Sequence, residues 1–223
     1  MIGVFCIGLW LDYLRREEEA RLGNMLCEGM PKPGKNEELL EILKISRYRE
    51  LGMTSHDLYL MLKHLTENLD FKELKLFNSR GKIFFVENSN NSCEFTDNLS
   101  AAKKCVANGY NVYMLPNPNG GKTPDFILVR NGKYAAYELK TLHDITKLYQ
   151  RMLEASLQSD RIMLDILYAG SSRKLAKCVQ DFLLKNPDVL DVMLFKGCKE
   201  IHVTQQIAST KPFIEKFMRR WDR

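Results

Sequence analysis

The chain has 223 residues, of which 45% are hydrophobic and 27% are charged. A chain of this length and apolar content can bury a sizeable core, which excludes a globally disordered protein. The formal net charge of +5 permits a polyanionic partner without requiring one.

The cysteines and the opening residues predict a cytoplasmic protein with no membrane contact. None of the six cysteines forms a CxxC pair, so a zinc ribbon or a thioredoxin-type motif is not supported, and a chain this long does not need disulfides to fold. The apolar run MIGVFCIGLW, residues 1–10, is too short to span a bilayer and lacks both a preceding basic residue and a following cleavage site. It continues into the amphipathic stretch LDYLRREEEARL, and together they predict a buried or interface helix.

The first 90 residues predict a mainly helical region with a hairpin near its end. A Pro/Gly break at residues 30–38, MPKPGKNEE, separates two stretches that have apolar residues at helical spacing. The next predicted helix begins after Gly52, with Thr54 or Ser55 as its N-cap. The segment LKLFNSRGKIFFVEN, residues 74–88, predicts a hairpin. The polar stretch that follows predicts a boundary near residue 90, with one region over residues 1–90 and a second domain over residues 91–223.

The second half predicts a regular alternation of helices and strands. Its core order is α-β-β-β-α-β, which is typical of an α/β fold with a mixed sheet and helices on both faces. The predicted elements are a helix over 98–108, stopped by Gly109; strands in YNVYML, PDFILV and YAAYELK; a helix over 144–159; a strand in RIMLDILY; a helix in SSRKLAKCVQDFLLKN; strands in DVMLFKG and KEIHVT; and a terminal helix in KPFIEKFMRRWDR.

Two carboxylates and a lysine meet on one predicted hairpin. Asn131-Gly132 predicts a tight turn of type I′ character, so residues whose numbers sum to about 263 face each other across the two strands. This pairing places Asp125 opposite Glu138. Since side chains alternate along a strand, Lys140 lies on the same face as Glu138.

This arrangement favours metal-assisted phosphodiester hydrolysis. Two directly opposed carboxylates repel each other, and a divalent cation between them removes that cost. Mg²⁺ prefers oxygen ligands and keeps several waters, so two carboxylates and a phosphate oxygen suffice to bind it. Lys140 could then stabilise the phosphoryl charge or orient a water, and Lys122, in the loop before the hairpin, could contact phosphate. The alternative is a solvated strand end; the apolar neighbours FILV and YAAY favour a site.

The motif PD followed by ELK at this spacing, within this element order, resembles the PD-(D/E)XK nuclease superfamily. The run AAKKCVANGYNVYMLPNPNGGKTPDFILVRNGKYAAYELK and the segment LYQRMLEASLQSDRIMLDI are similar to the C-terminal tRNase domains of contact-dependent growth inhibition toxins. The resemblance covers about residues 94–204. It implies a restriction-endonuclease-like core, preceded here by the mainly helical extension, and nucleic acid, RNA or DNA, as the substrate. It also implies a cognate immunity or partner protein.

The resemblance also implies roles for individual residues. Asp125 and Glu138 would hold Mg²⁺ or Mn²⁺, with Lys140 assisting catalysis. Family members usually add an acid from the first core helix, but the matching position is Asn98. The neighbours Asp97 and Glu94 could substitute, and Asp97 is the expected third ligand. Gln158 matches a Gln-x-Asp in the resemblance and is expected to hydrogen-bond near the site.

Two further interpretations remain open from the sequence. One is a metal-independent, barnase-like ribonuclease, whose chemistry would use Lys, His, Thr or Tyr side chains; the absence of an acid at Asn98 favours it. The other is a non-catalytic nucleic-acid- or protein-binding module built on a nuclease fold. The pairing of Asp125 with Glu138 favours the metal-dependent enzyme over both.

Overall fold

The computed structural model describes residues 52–76, 79–86, 92–116, 123–168 and 170–223. The helices predicted within residues 1–51 lie outside this part of the chain. In the first turn of the second described helix, at residues 92–94, the backbone alone is described.

The described elements confirm the predicted mixed α/β fold. The helices are α1 (Ser55–Asn68), α2 (Ser92–Ala107), α3 (Leu148–Ser156), α4 (Ser172–Lys185), α5 (Gln205–Ala208) and α6 (Phe213–Asp222). The strands are β1 (Lys72–Leu74), β2 (Ile83–Phe85), β3 (Asn111–Met114), β4 (Phe126–Arg130), β5 (Lys133–Leu142), β6 (Arg161–Ile166), β7 (Asp191–Lys196) and β8 (Lys199–Thr204). None of the helices in these ranges has both the length and the apolar character that a bilayer crossing requires.

Local sequence signals explain where several of the described helices begin. Thr54 caps α1 in a reciprocal capping box with Asp57, and Ser171 caps α4 by accepting a hydrogen bond from the N–H of Lys174. The third helix begins at residue 148, four residues later than predicted, and the Asp144 carboxylate accepts hydrogen bonds from the backbone and hydroxyl of Thr146 in the turn before it.

The eight strands form one sheet in which spatial order follows chain order. The pairs β2–β3, β5–β6 and β6–β7 are parallel, and the other neighbouring pairs are antiparallel. The segment α2-β3-β4-β5-α3-β6 reproduces the predicted α-β-β-β-α-β order.

The central hairpin has the predicted register. Asn131 and Gly132 both adopt positive φ, 53° and 72°, as a type I′ turn requires. Phe126 pairs with Tyr137, and their numbers sum to the predicted 263. Extending this register by one residue places Asp125, just before β4, opposite Glu138 of β5.

Helices cover both faces of the sheet. The helix α2 packs on one face through a cluster that includes Ala101, Cys105 and Phe126. The helices α1, α3, α4 and α6 pack on the other face in two clusters. One row of paired residues on this second face runs across four strands, from Glu138 in β5 through Ile162 and Val192 to Val203 in β8.

The hairpin β1–β2 belongs to this same sheet. Its strand β2 pairs in parallel with β3, from Ile83 opposite Val112 to Phe85 opposite Met114. Gly81 allows the close approach, because a Cβ at this position would lie 1.9 Å from the carbonyl oxygen of Tyr110. The boundary predicted near residue 90 therefore falls between strands that share one sheet.

Candidate active site

Asp125 is fixed at the start of β4 by its own backbone and by two donors. Its carbonyl oxygen accepts a hydrogen bond of 2.9 Å from the N–H of Leu115. Its carboxylate Oδ2 accepts one of 2.8 Å from the N–H of Leu139, and Oδ1 lies 3.4 Å from the amide Nδ2 of Asn98. The carboxylate is thus held at the strand end, facing the neighbouring strand β5.

Glu138 and Lys140 lie on the sheet face that carries α1 and α3. Ala136, two residues before Glu138, packs in the cluster under α1, and Leu142, two residues after Lys140, packs in the cluster under α3. The Lys140 ammonium donates a hydrogen bond of 2.6 Å to Oε1 of Glu138. The alternation of the strand therefore brings these two side chains together on one face.

The carboxyl group of Glu138 is buried, with 3% of the residue exposed. Its Oε2 has no hydrogen-bond partner in the described part of the chain. Burial, reinforced by the nearby Asp125 carboxylate and opposed by Lys140, raises the pKa of Glu138 to about 9. This shift favours the protonated form of Glu138 when no cation is bound, although Lys140 lies beside it.

The helix residue that reaches the pair is Asn98. It is buried, with 5% exposed, whereas the preceding residue Asp97 is exposed to solvent. Successive residues on an α-helix point about 100° apart, so Asp97 cannot face Asp125 when Asn98 does. The structure thus places a neutral amide against Asp125 and leaves the acid expected as third ligand on the outer surface of α2.

The two predicted substrate-binding residues are placed differently. Lys122 lies outside the described residues. Gln158 lies in the turn between α3 and β6, where its N–H donates 2.9 Å to the carbonyl oxygen of Ala155. Its side chain is partly buried.

The donor set around Asp125 and Glu138 fits a hard divalent cation. Both residues supply carboxylate oxygens, and Oε2 of Glu138 lacks a partner among the described residues. Within the same ranges, no group of three or more His, Cys, Asp or Glu side chains could hold a metal ion. Two carboxylates suit Mg²⁺ or Mn²⁺, which prefer oxygen ligands, and a site with so few protein ligands leaves the remaining positions to water and substrate.

The opposite face of the sheet carries a second polar cluster, which the sequence did not predict. The Tyr137 hydroxyl donates 2.5 Å to Oδ2 of Asp191, which also lies 2.9 Å from Nδ1 of His202. The other ring nitrogen lies 2.6 Å from Oε1 of Glu200, which accepts 2.9 Å from the Tyr110 hydroxyl. These partners are up to 92 residues apart in the chain, so no local motif could have revealed them.

This cluster joins strands and does not form a metal centre. Burial alone would lower the pKa of His202, but hydrogen bonds to Asp191 and Glu200 raise it to about 9. The imidazole is therefore charged at neutral pH and sits between two carboxylates. Because each ring nitrogen faces a different carboxylate, the three groups do not converge on one ion.

No family model matches this chain, and no curated protein matches it. Among solved structures it is similar to a chain of the CdiA-CT/CdiI toxin and immunity complex from Burkholderia pseudomallei, with a TM-score of 0.40 and 13% identity over 53% of this chain and 92% of that chain. A likeness at this level carries neither residues nor an activity from that protein to this one.

Proposed function

We propose that the chain is a metal-dependent nuclease of the PD-(D/E)XK type, hydrolysing phosphodiester bonds in RNA or DNA. The observation that supports this most is Glu138, a buried carboxyl beside Asp125 whose Oε2 lacks a partner within the described residues. Buried polar atoms with only a structural role are nearly always hydrogen-bonded. A cation that replaces the proton on Glu138 would satisfy this oxygen and neutralise the pair.

In this proposal Asp125 and Glu138 hold Mg²⁺ or Mn²⁺. The ion, when bound, would neutralise charge on the phosphoryl group and make a bound water more acidic. The Leu139 N–H and the Asn98 amide hold the Asp125 carboxylate in place, as their contacts of 2.8 and 3.4 Å indicate. These donors keep Asp125 oriented while a ligand is absent.

Lys140 has the role of an electrostatic catalyst. Its ammonium has three N–H donors, and one of them contacts Glu138 at 2.6 Å. The remaining donors are suited to a phosphoryl oxygen that gains charge in the transition state, or to the attacking water. The side chain is 18% exposed, which limits competition from bulk water while leaving a path to substrate.

The remaining expectations belong to the same proposal. The substrate is nucleic acid, contacted near the site by Lys122 and Gln158. A cognate immunity or partner protein would inhibit the enzyme by covering the groups around Lys140. Neither contact is needed for the chemistry at Asp125 and Glu138, so both can be tested after the activity itself.

The test compares the wild-type chain with Asp125→Asn, Glu138→Gln and Lys140→Gln, using Asp70→Asn, at an exposed position between α1 and β1, as the matched control. We expect cleavage of mixed RNA and DNA with Mg²⁺ or Mn²⁺, none with chelator, and loss of cleavage in the three site variants. Calorimetric titration should show Mn²⁺ binding that Asp125→Asn and Glu138→Gln lose and Lys140→Gln keeps.

Two outcomes would overturn the proposal. Cleavage that persists in chelator would show a metal-independent ribonuclease. A wild-type chain that neither cleaves nucleic acid nor binds Mn²⁺ would show a binding module. Melting curves of all variants separate a lost site from a lost fold.

A further inference from the structure

The C-terminal part of the chain carries most of its net charge. Residues 196–223 hold seven basic and three acidic side chains, a net charge of +4, whereas the whole chain carries +5. The helix α6 is amphipathic: it buries Phe213, Phe217 and Trp221 and exposes its charged side chains. The fold adds lysines from the β7–β8 hairpin to that face.

These lysines lie against the C-terminal end of α6. The Lys196 ammonium donates 2.9 Å to the carbonyl oxygen of Trp221, and that of Lys199 donates to the carbonyl oxygen of Arg220. The Arg220 guanidinium in turn donates 3.2 Å to the carbonyl oxygen of Glu200. On the helix, Arg219 precedes Arg220, and Lys216 lies one turn before it. We call Lys196, Lys199, Lys216, Arg219 and Arg220 the basic corner.

Two of the three acids in residues 196–223 are directed elsewhere. The Glu200 carboxylate contacts Tyr110 and His202 on the far side of the sheet. The Asp222 carboxylate accepts 2.9 Å from the Ser172 hydroxyl at the start of α4. The third, Glu215, is exposed on α6 one turn before Arg219, and no ion pair joins them among the described residues, so the basic corner keeps a net positive charge.

Helix capping accounts for only part of the basic corner. Cations at a helix C-terminus are stabilising, which explains the contacts of Lys196 and Lys199. The exposed side chains of Lys216 and Arg219 make no ion pair or hydrogen bond within the described residues. Like charges three or four residues apart on a helix repel, so Lys216, Arg219 and Arg220 together cost stability. A bound polyanion would remove that cost.

We infer that the basic corner binds the phosphate backbone of the nucleic acid and positions it for the carboxylate pair. This inference rests on the proposed function for its choice of polyanion. The basic corner lies on the same side of the sheet as Glu138, since α6 shares a buried cluster with Ile162, Val192 and Val203, whose side chains continue the row that begins at Glu138. From Glu138, Lys196 of the basic corner lies two strand spacings across the sheet and four residues further along β7, a backbone separation of roughly 16 Å. One bound nucleic acid could therefore contact both.

The experiment measures binding separately from cleavage. Fluorescence anisotropy with a labelled single-stranded oligonucleotide, in chelator, is recorded from low to moderate salt. The variant Lys199→Gln/Lys216→Gln/Arg219→Gln is compared with Lys75→Gln/Lys103→Gln/Lys133→Gln, which removes the same charge from exposed positions on β1–β2, α2 and the central hairpin. The double variant Lys216→Gln/Arg219→Gln leaves every described contact of α6 intact.

We expect the triple variant to bind roughly tenfold more weakly at low salt, with the slope of log K against log salt reduced by about 2. The double variant should show about two thirds of that change in slope, and the control should remain close to wild type. Equal losses in the control and the triple variant would overturn the inference, because net charge alone would then account for binding. Wild-type binding only to anionic vesicles or to an acidic protein would overturn it too. Because chelator is present throughout, failure of the cleavage proposal would leave these measurements unaffected.

Discussion

Burial and the Asp125 carboxylate raise the pKa of Glu138 to about 9, against an ordinary value of 4.5. The folded, metal-free protein keeps a proton that the unfolded chain loses near pH 4.5. The contribution of Glu138 to the free energy of unfolding is therefore complete below about pH 4.5 and is lost as the pH rises towards 9. Glu138→Gln, which needs no proton, should become more stable than wild type by roughly 1–3 kcal/mol at pH 9 and by little at pH 5.

Urea denaturation of both proteins in chelator, at intervals from pH 5 to pH 9, checks this expectation. The other titrating groups are common to both, so the difference between the two curves isolates Glu138. A difference that does not change with pH would show that Glu138 is ionised in the metal-free fold. At pH 8, adding Mn²⁺ should make the wild-type chain more stable than Glu138→Gln, because only the wild-type chain binds the ion.

Asn98 determines how much negative charge the site carries. Its amide donates to Asp125, where an acid would place a third carboxylate. Asn98→Asp should lower the metal-free stability by roughly 1 kcal/mol through repulsion. It should tighten Mn²⁺ binding about tenfold, equal to about 1.4 kcal/mol. Calorimetry and melting curves with and without Mn²⁺ measure both effects. Asn98→Ala is the control, since it removes the hydrogen bond and adds no charge; tighter binding in that variant would contradict the charge argument.

At the scale of elements, His202 connects three parts of the sheet. Through Asp191 and Tyr137 it joins β8 to β7 and β5, and through Glu200 it reaches Tyr110 at the start of β3. Its pKa of about 9 means that the stability it supplies is full below pH 6.5 and is lost as the pH rises through 9. His202→Gln should therefore cost roughly 1–3 kcal/mol at pH 6 and much less at pH 9.5.

Thermal unfolding of His202→Gln across this pH range measures the effect, with the exposed His143→Gln as the control. The control should follow the wild-type curve throughout. If His202→Gln lowers the free energy of unfolding equally at both ends of the pH range, the contacts of His202 with Asp191 and Glu200 do not depend on a protonated imidazole. The positions of the two carboxylates would then determine the geometry of the cluster.

Elements with local signals could be predicted from the sequence. The register of β4 and β5 follows from the Asn131-Gly132 turn alone, and with it the meeting of Asp125 and Glu138. The position on α2 that faces Asp125 was also predicted as Asn98, but the neighbouring Asp97 cannot replace it, because the next residue on a helix points about 100° away. The parallel pairing of β2 with β3 had no local signal, since it depends on the close packing of Gly81 against Tyr110. Contacts between strands that are far apart in sequence, such as those of His202, depend on how the whole sheet is assembled, so no local motif predicts them.

At the scale of the molecule, residues 52–86 behave as part of the sheet on which the site is built. The strand β2 covers the edge of β3 and buries Ile83 completely. Leu60, Met61 and Leu65 of α1 pack against Ile127 of β4, beside the strand start that carries Asp125. We therefore expect the site to depend on both sides of the boundary that the sequence predicts near residue 90.

A comparison of two truncated chains tests this dependence. A chain beginning at residue 91 would expose the edge of β3 and uncover the buried surface of β4, so it should aggregate or melt without a cooperative transition. A chain beginning at residue 52 keeps α1, β1 and β2 and should unfold cooperatively. Calorimetry, together with binding of an apolar dye, distinguishes the two. Equal melting temperatures and equal Mn²⁺ affinity would show instead that residues 91–223 fold as an independent domain, with the first two strands as a dispensable addition.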